Sequence, residues 1–255
     1  VVGLAASSLA SAALAGGDAA PNSAHPSIEW QLDGSLLVTG VSLLAVGRGM
    51  DATPKFVPPA GLDRGDVHWS FDRGRIGKCD TRANNESDYA RDAAVAYPLV
   101  VAFVSQPSGT RTSGTLRRAI AYQEAVLIAG GMVALIKNSA DRPRPYTYLP
   151  IDQRPDDPAY DVTSREAFQS MPSGHTSASF CAAGFAMTDY LLSWPEAGWL
   201  ERAGVPFVGG MLAGMTAAMR VEAGKHFPSD VIVGGVIGTS SGVAVPLVHH
   251  YLGAD

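Results

Sequence analysis

Residues 203–252 read AGVPFVGGMLAGMTAAMRVEAGKHFPSDVIVGGVIGTSSGVAVPLVHHYL. Two apolar stretches, uncharged from Ala203 to Met219 and from Val231 to Val248, flank the polar turn 220–230. Gly, Ala, Ser and Thr are frequent in both, and the alternation of β-branched residues that marks strands is scarce, so both read as closely packed helices. Pro228 suits the first turn of the second helix, where its missing N–H is not needed. Arg220 closes one helix, His226 precedes the next, and Asp230 stands one turn into it. A carboxylate four residues beyond a histidine can hold one ring nitrogen and aim the other. An acidic cap beside an exposed histidine has the same spelling.

Outward from this pair, the same kind of pattern recurs. Six helical segments are expected, at about Ser35–Val46, Tyr89–Val104, Leu116–Lys137, Ser173–Leu192, Gly204–Arg220 and Ser229–Leu252. The connection from Asp51 to Asp88 is polar and rich in Gly and Pro, with turn signals at Pro58-Pro59, Asp63-Arg64-Gly65 and Arg73-Gly74. The fold class is all-α, an antiparallel bundle of about six helices. In such a bundle the third segment ends, the fourth begins, the fifth ends and the sixth begins at one face.

That face collects two more polar blocks. Lys137 ends the third segment and Arg144 follows after six residues, in Arg142-Pro143-Arg144-Pro145. The prolines forbid a continued helix and hold Arg144 on an extended arm, where its planar fork can grip two oxygens; Lys137 adds a compact charge. Alone, this block also describes a solvated loop. Pro172-Ser173-Gly174-His175 opens the fourth segment. Ser173 is placed as an N-cap, the free amides and helix dipole there favour an anion, and Gly174 lets the backbone come close to a ligand. A capped helix with a surface histidine is the plainer alternative. The three blocks together supply three cations, a hydroxyl and two histidines, the inventory for holding a phosphate and breaking a bond to phosphorus.

Bulk properties narrow the class. The chain has 255 residues, a net charge of -5 and no basic face, which argues against a nucleic-acid partner. Only 17% of residues are charged, against about 25% in ordinary soluble domains. Mean hydropathy is +0.08, between a soluble enzyme and a multi-span protein. Only the fifth and sixth segments approach the roughly 20 apolar residues of a membrane span, so a water-soluble or membrane-attached bundle is narrowly favoured. Residues 1–15, VVGLAASSLASAALA, read as the remnant of an export signal or an apolar N-terminal segment, followed by one domain over 16–255. A periplasmic or cell-envelope location is therefore expected. Cys79 and Cys181 share no metal spacing and leave a disulfide open. Asp51, Asp63, Asp66 and His68 read as solvated loop residues rather than a metal site, and His249-His250 as a helix end.

The three blocks resemble the type 2 phosphatidic acid phosphatase superfamily, which also holds bacterial non-specific acid phosphatases and vanadium-dependent haloperoxidases. Its pattern is matched by Lys137…Arg144-Pro145, by Pro172–His175 and by Arg220…His226…Asp230. Met219 departs from it, standing where the family usually has Ser. The motif-bearing part is 116–252. The resemblance implies that His226 attacks phosphorus, Asp230 orients it, and His175 protonates the leaving oxygen and then activates water. Lys137, Arg144, Ser173, Gly174 and Arg220 would bind the phosphate. It implies a phosphomonoester or diphosphate as substrate, above all a lipid phosphate, a membrane surface as partner, and no metal or other cofactor. Vanadate would inhibit, or serve as the cofactor if the chemistry were haloperoxidase-like. A non-catalytic phosphate-binding protein is the third alternative.

Overall fold

The computed structural model describes residues 29–50 and 61–252; the N-terminal segment 1–15 and Asp51 lie outside them. The described residues form seven α-helices and no strand. These are α1 (Trp30–Met50), the single turn α2 (Ser70–Arg73), α3 (Thr81–Ser105), α4 (Arg111–Ala140), α5 (Gly174–Ser193), α6 (Trp199–Glu222) and α7 (Pro228–Leu252). Six correspond to the expected segments, and the connection 141–173 carries only 3-10 turns. α3 differs most, beginning two turns before Tyr89. Asp80 caps it by accepting from the Ala83 amide at 3.0 Å. The first turns of α3 face the polar end of the bundle rather than its apolar core, so they carry no hydrophobic period to read.

α5 runs through the centre and touches α3, α4, α6 and α7. Its contact with α7 is made by a glycine stripe. A Cβ at Gly234 would stand 2.5 Å from the Ser173 carbonyl oxygen, and Cβ atoms at Gly238 and Gly242 would overlap the carbonyls of Ser177 and Cys181. The two backbones can lie this close only without side chains, as in small-residue helix pairs generally. Around them Tyr122, Ala125, Ala129, Cys181, Phe185, Ile237 and Val245 form the main core. α1 lies outermost, resting on α4. Both cysteines are free.

The outer surface is apolar over much of its height. Val38 and Val41 on α1, Val100 and Phe103 on α3, Phe207 and Met211 on α6, and Ile232 and Val236 on α7 are all exposed. Exposed patches of this extent mark a surface made for another apolar phase. Among the described residues four helices, α1, α4, α6 and α7, are long and apolar enough to cross a membrane. The sequence reading credited only the last two. Asp33 in α1 and Glu124 in the middle of α4 conceal how far each helix runs, because a run of uncharged residues undercounts a helix whose charged positions turn inward. Trp30 and Trp199, which begin α1 and α6, and Tyr251, near the end of α7, are exposed at helix ends, where an aromatic boundary with water is expected.

Candidate active site

The up-down course brings the C-terminal ends of α4 and α6 to the N-terminal ends of α3, α5 and α7. Between α6 and α7 the chain reverses through Ala223–Phe227. Gly224 has φ of 68°, and a Cβ there would overlap the Lys78 carbonyl. Only glycine serves at this position, and the turn it makes delivers His226.

His226 is 1% exposed, and its Nδ1 lies 2.6 Å from the Ser170 carbonyl oxygen. A carbonyl only accepts, so Nδ1 carries the proton and Nε2 carries the lone pair. The ring is held uncharged: burial pushes its pKa well down, and Arg144, Arg220 and Lys137 push the same way. The three cations therefore converge on one uncharged histidine whose Nε2 keeps its lone pair.

Asp230 does not make the expected bond. Its Oδ2 is 3.9 Å from His226 Nδ1, beyond hydrogen-bond range. Its oxygens are taken by Arg142 Nη1 at 2.5 Å, the Ser170 hydroxyl at 2.6 Å and the Phe227 amide at 2.7 Å. Asp230 thus holds Ser170, and Ser170 holds His226. Asp72 of α2 completes the support, bonding Arg142 at 2.8 Å and the Ser229 hydroxyl at 2.6 Å. Sequence spacing alone favoured the direct contact, because the intervening Ser170 comes from a distant loop.

Arg144 stands on extended backbone, with φ −77° and ψ 153°, as its flanking prolines require. Its Nε and Nη2 donate to the Glu166 carbonyl at 2.9 Å and carboxylate at 2.8 Å. Arg144, then Lys137, Lys225 and Arg220, hold the Glu166 carboxyl below its usual range. A largely exposed carboxylate therefore already stands among four cations, in the position an entering anion would compete for. Arg220 donates to Asn84 at 2.9 Å and Ser87 at 3.3 Å, and its buried Nε has no partner. The Ser87 hydroxyl supplies a bond of the kind Met219 cannot. Ser173 caps α5 through Thr176, as expected. At Gly174 a Cβ would meet nothing closer than Val133 at 3.7 Å, so packing does not demand the glycine and the space before it is open.

His175, Arg220 and Lys225 line a cavity of about 280 Å³ with Asp88, Arg91 and Glu166, while His226 and Arg144 are buried and stand outside its lining. His175 Nε2 is 2.7 Å from Asp88 Oδ1 and 2.6 Å from Arg91 Nη1. Burial, then Arg220, push its pKa down, against the pull of Asp88. Lys225 lies over the rings of Tyr146 and Tyr160 at 5.0 and 4.0 Å and bonds the Ala159 carbonyl. Burial and the neighbouring arginines lower its pKa to about 7. Asn84, Asp88, Arg91 and Lys225 were missed from sequence. The first three recur along one face of α3, and that polar stripe was the available signal.

The family model of the PAP2 superfamily matches residues 118–254, and the chain belongs to that superfamily. It is also similar to a protein of Schizosaccharomyces pombe (strain 972 / ATCC 24843) described as "Probable diacylglycerol pyrophosphate phosphatase 1". The two are 28% identical over 148 residues, which cover 49% of this chain and 53% of the relative. The chain thus spans about half the length of that relative. No solved structure matches.

Proposed function

We propose that this protein is a membrane-embedded phosphatase that hydrolyses lipid phosphates or diphosphates through a phosphohistidine at His226, without a metal ion in the reaction. The observation that carries this reading is the tautomer of His226, whose Nε2 lone pair is left free by the Nδ1–H bond to Ser170 and surrounded by cations. Nε2 attacks phosphorus, the N–P bond forms and the P–O bond to the leaving group breaks. His175 gives its proton to the leaving oxygen. The resulting N-phosphoryl imidazolium keeps its Nδ1 proton on Ser170, with Asp230 close enough to favour the positive charge. His175, now neutral, takes a proton from water as the water attacks phosphorus; the N–P bond breaks and His226 returns to its starting form. Lys137, Arg144 and Arg220 stabilise the equatorial oxygens.

His175 enters this cycle charged, although burial disfavours that form in the empty site. A phosphate dianion beside it reverses the balance, so protonation and substrate binding are coupled. The cavity is polar and small enough for a phosphorylated head but not for acyl chains. The chains would lie against the apolar outer faces of the helices. The related yeast protein, described by its name as acting on diacylglycerol pyrophosphate, supports the same substrate class.

The test is phosphate release from phosphatidic acid and diacylglycerol pyrophosphate in mixed micelles containing chelator, with acid quenching to trap the phosphoenzyme. Turnover should persist with chelator and vanish with the phosphoenzyme in His226→Ala. Near-normal turnover of that variant would overturn the assignment, and bromide oxidation after vanadate loading would point to haloperoxidase chemistry instead.

A further inference from the structure

The bundle end away from His226 holds a second buried polar cluster. Asp33 enters it from the first turn of α1, Glu124 from the middle of α4 and His249 from the last turn of α7, and none is more than 5% exposed. His249 Nε2 is 2.7 Å from Glu124 Oε2 and 4.0 Å from Asp33 Oδ1. One ligating atom from each residue lies within 4.8 Å of the other two. Glu124 Oε1 is buried with no donor at all. Arg118 pairs with Asp189 at 2.8 Å and Ser193 at 2.8 Å and makes no bond to either carboxylate, so among the described residues the pair has only the His249 ring and, at Asp33, the Glu29 amide at 2.6 Å as partners. Buried carboxylates of this kind are paired, protonated or bound to a metal.

We propose that Asp33, Glu124 and His249 bind one divalent transition-metal ion of the zinc class, which ties α1 and α7 to α4. One imidazole nitrogen and carboxylate oxygens, with no thiolate, are a donor set that suits Zn²⁺, with water or the free Glu124 oxygen as fourth ligand. Tetrahedral ligands about 2.0–2.1 Å from zinc stand roughly 3.3 Å apart. The observed separations bracket that value, so rotamer adjustments bring the three atoms into place. Two carboxylates and a neutral imidazole cancel the ion's charge, and the orphaned oxygen gains a partner. Asp230 and His249 are about 28 Å apart along α7 at 1.5 Å per residue, so the ion has no part in the reaction. Its role is structural: α1 is the outermost helix, and the ion would bind its N-terminal turn to the rest of the bundle. The proposal stands independently of the phosphatase reading.

The full chain, purified without a polyhistidine tag, is stripped with chelator and titrated with Zn²⁺ and Co²⁺, and its metal content is measured by mass spectrometry. The expected result is one zinc per chain, a visible Co²⁺ ligand-field band, and a melting temperature raised by zinc and lowered again by chelator. All three should be lost in Glu124→Gln and His249→Gln. If those variants fail to fold, Asp33→Asn, at the end of α1, together with the wild-type Co²⁺ spectrum decides the matter. Wild-type protein that shows neither retained zinc nor a Co²⁺ band overturns the proposal. So does zinc retention unchanged in the variants, and so does a Glu124→Gln chain that is more stable than wild type whether or not zinc is present.

Discussion

Asp230→Asn separates two ways in which an acid can serve a catalytic histidine. If Asp230 held Nδ1 directly, losing its charge would put the ring in the wrong tautomer and lower kcat by about 10⁴. Here the Ser170 carbonyl fixes the tautomer, and it survives the substitution. The damage falls elsewhere. An amide at this position can still accept from Arg142, but it then points its NH₂ at the Phe227 amide, setting two donors face to face where Oδ2 accepted at 2.7 Å. Breaking a buried charged contact costs about 3–5 kcal/mol when the partner is stranded. Arg142 keeps Asp72, so about 2–3 kcal/mol is expected. Ser170 loses part of its anchor, and the slackened His226 should lose roughly 10- to 100-fold in kcat, or about 1.4–2.7 kcal/mol. The assay pairs thermal unfolding in detergent with kcat on a chromogenic phosphomonoester. A loss of 10⁴ in kcat with unchanged melting would refute the indirect arrangement.

Further expectations follow from the site. The proton affinities of His226 and His175 are both depressed in the folded protein, so the unfolded chain binds protons that the native site rejects. Stability is then fully present above about pH 6.5 and lost below it, by about 1.4 kcal/mol per pH unit for each histidine; a melting temperature flat from pH 7 to 5.5 would contradict this, and inorganic phosphate should lessen the slope. Glu166→Gln removes the carboxylate that competes for Arg144, so inorganic phosphate should inhibit at several-fold lower concentration; unchanged or weaker inhibition would show that Glu166 does not occupy the anion position. Gly224→Ala forces a side chain into left-handed backbone and against Lys78, and should cost at least about 2 kcal/mol in chemical denaturation.

The sequence by itself determined the helices and the set of polar groups gathered at one end of the bundle. Helix periodicity, proline placement and the spacing of Lys137, Arg144, Ser173, His175, Arg220 and His226 are local properties, and up-down topology then sends these residues to one end of the bundle. What lay beyond local reading was decided by contacts between distant segments. The acid that spacing assigned to His226 instead holds Ser170, a residue from the loop before α5. The bonds to Arg220 come from the polar face of α3, which has no hydrophobic period to announce it. Among the described residues, four membrane-length helices emerge once the helix bounds are known, since Asp33 and Glu124, which interrupt apolar runs in the sequence, are buried inside α1 and α4. His249, spelled like an ordinary helix end, meets Glu124 and Asp33 because three helices far apart in the chain pack together there. Local chemistry is written along the chain, while the pairing of buried charges depends on which helices share an interior.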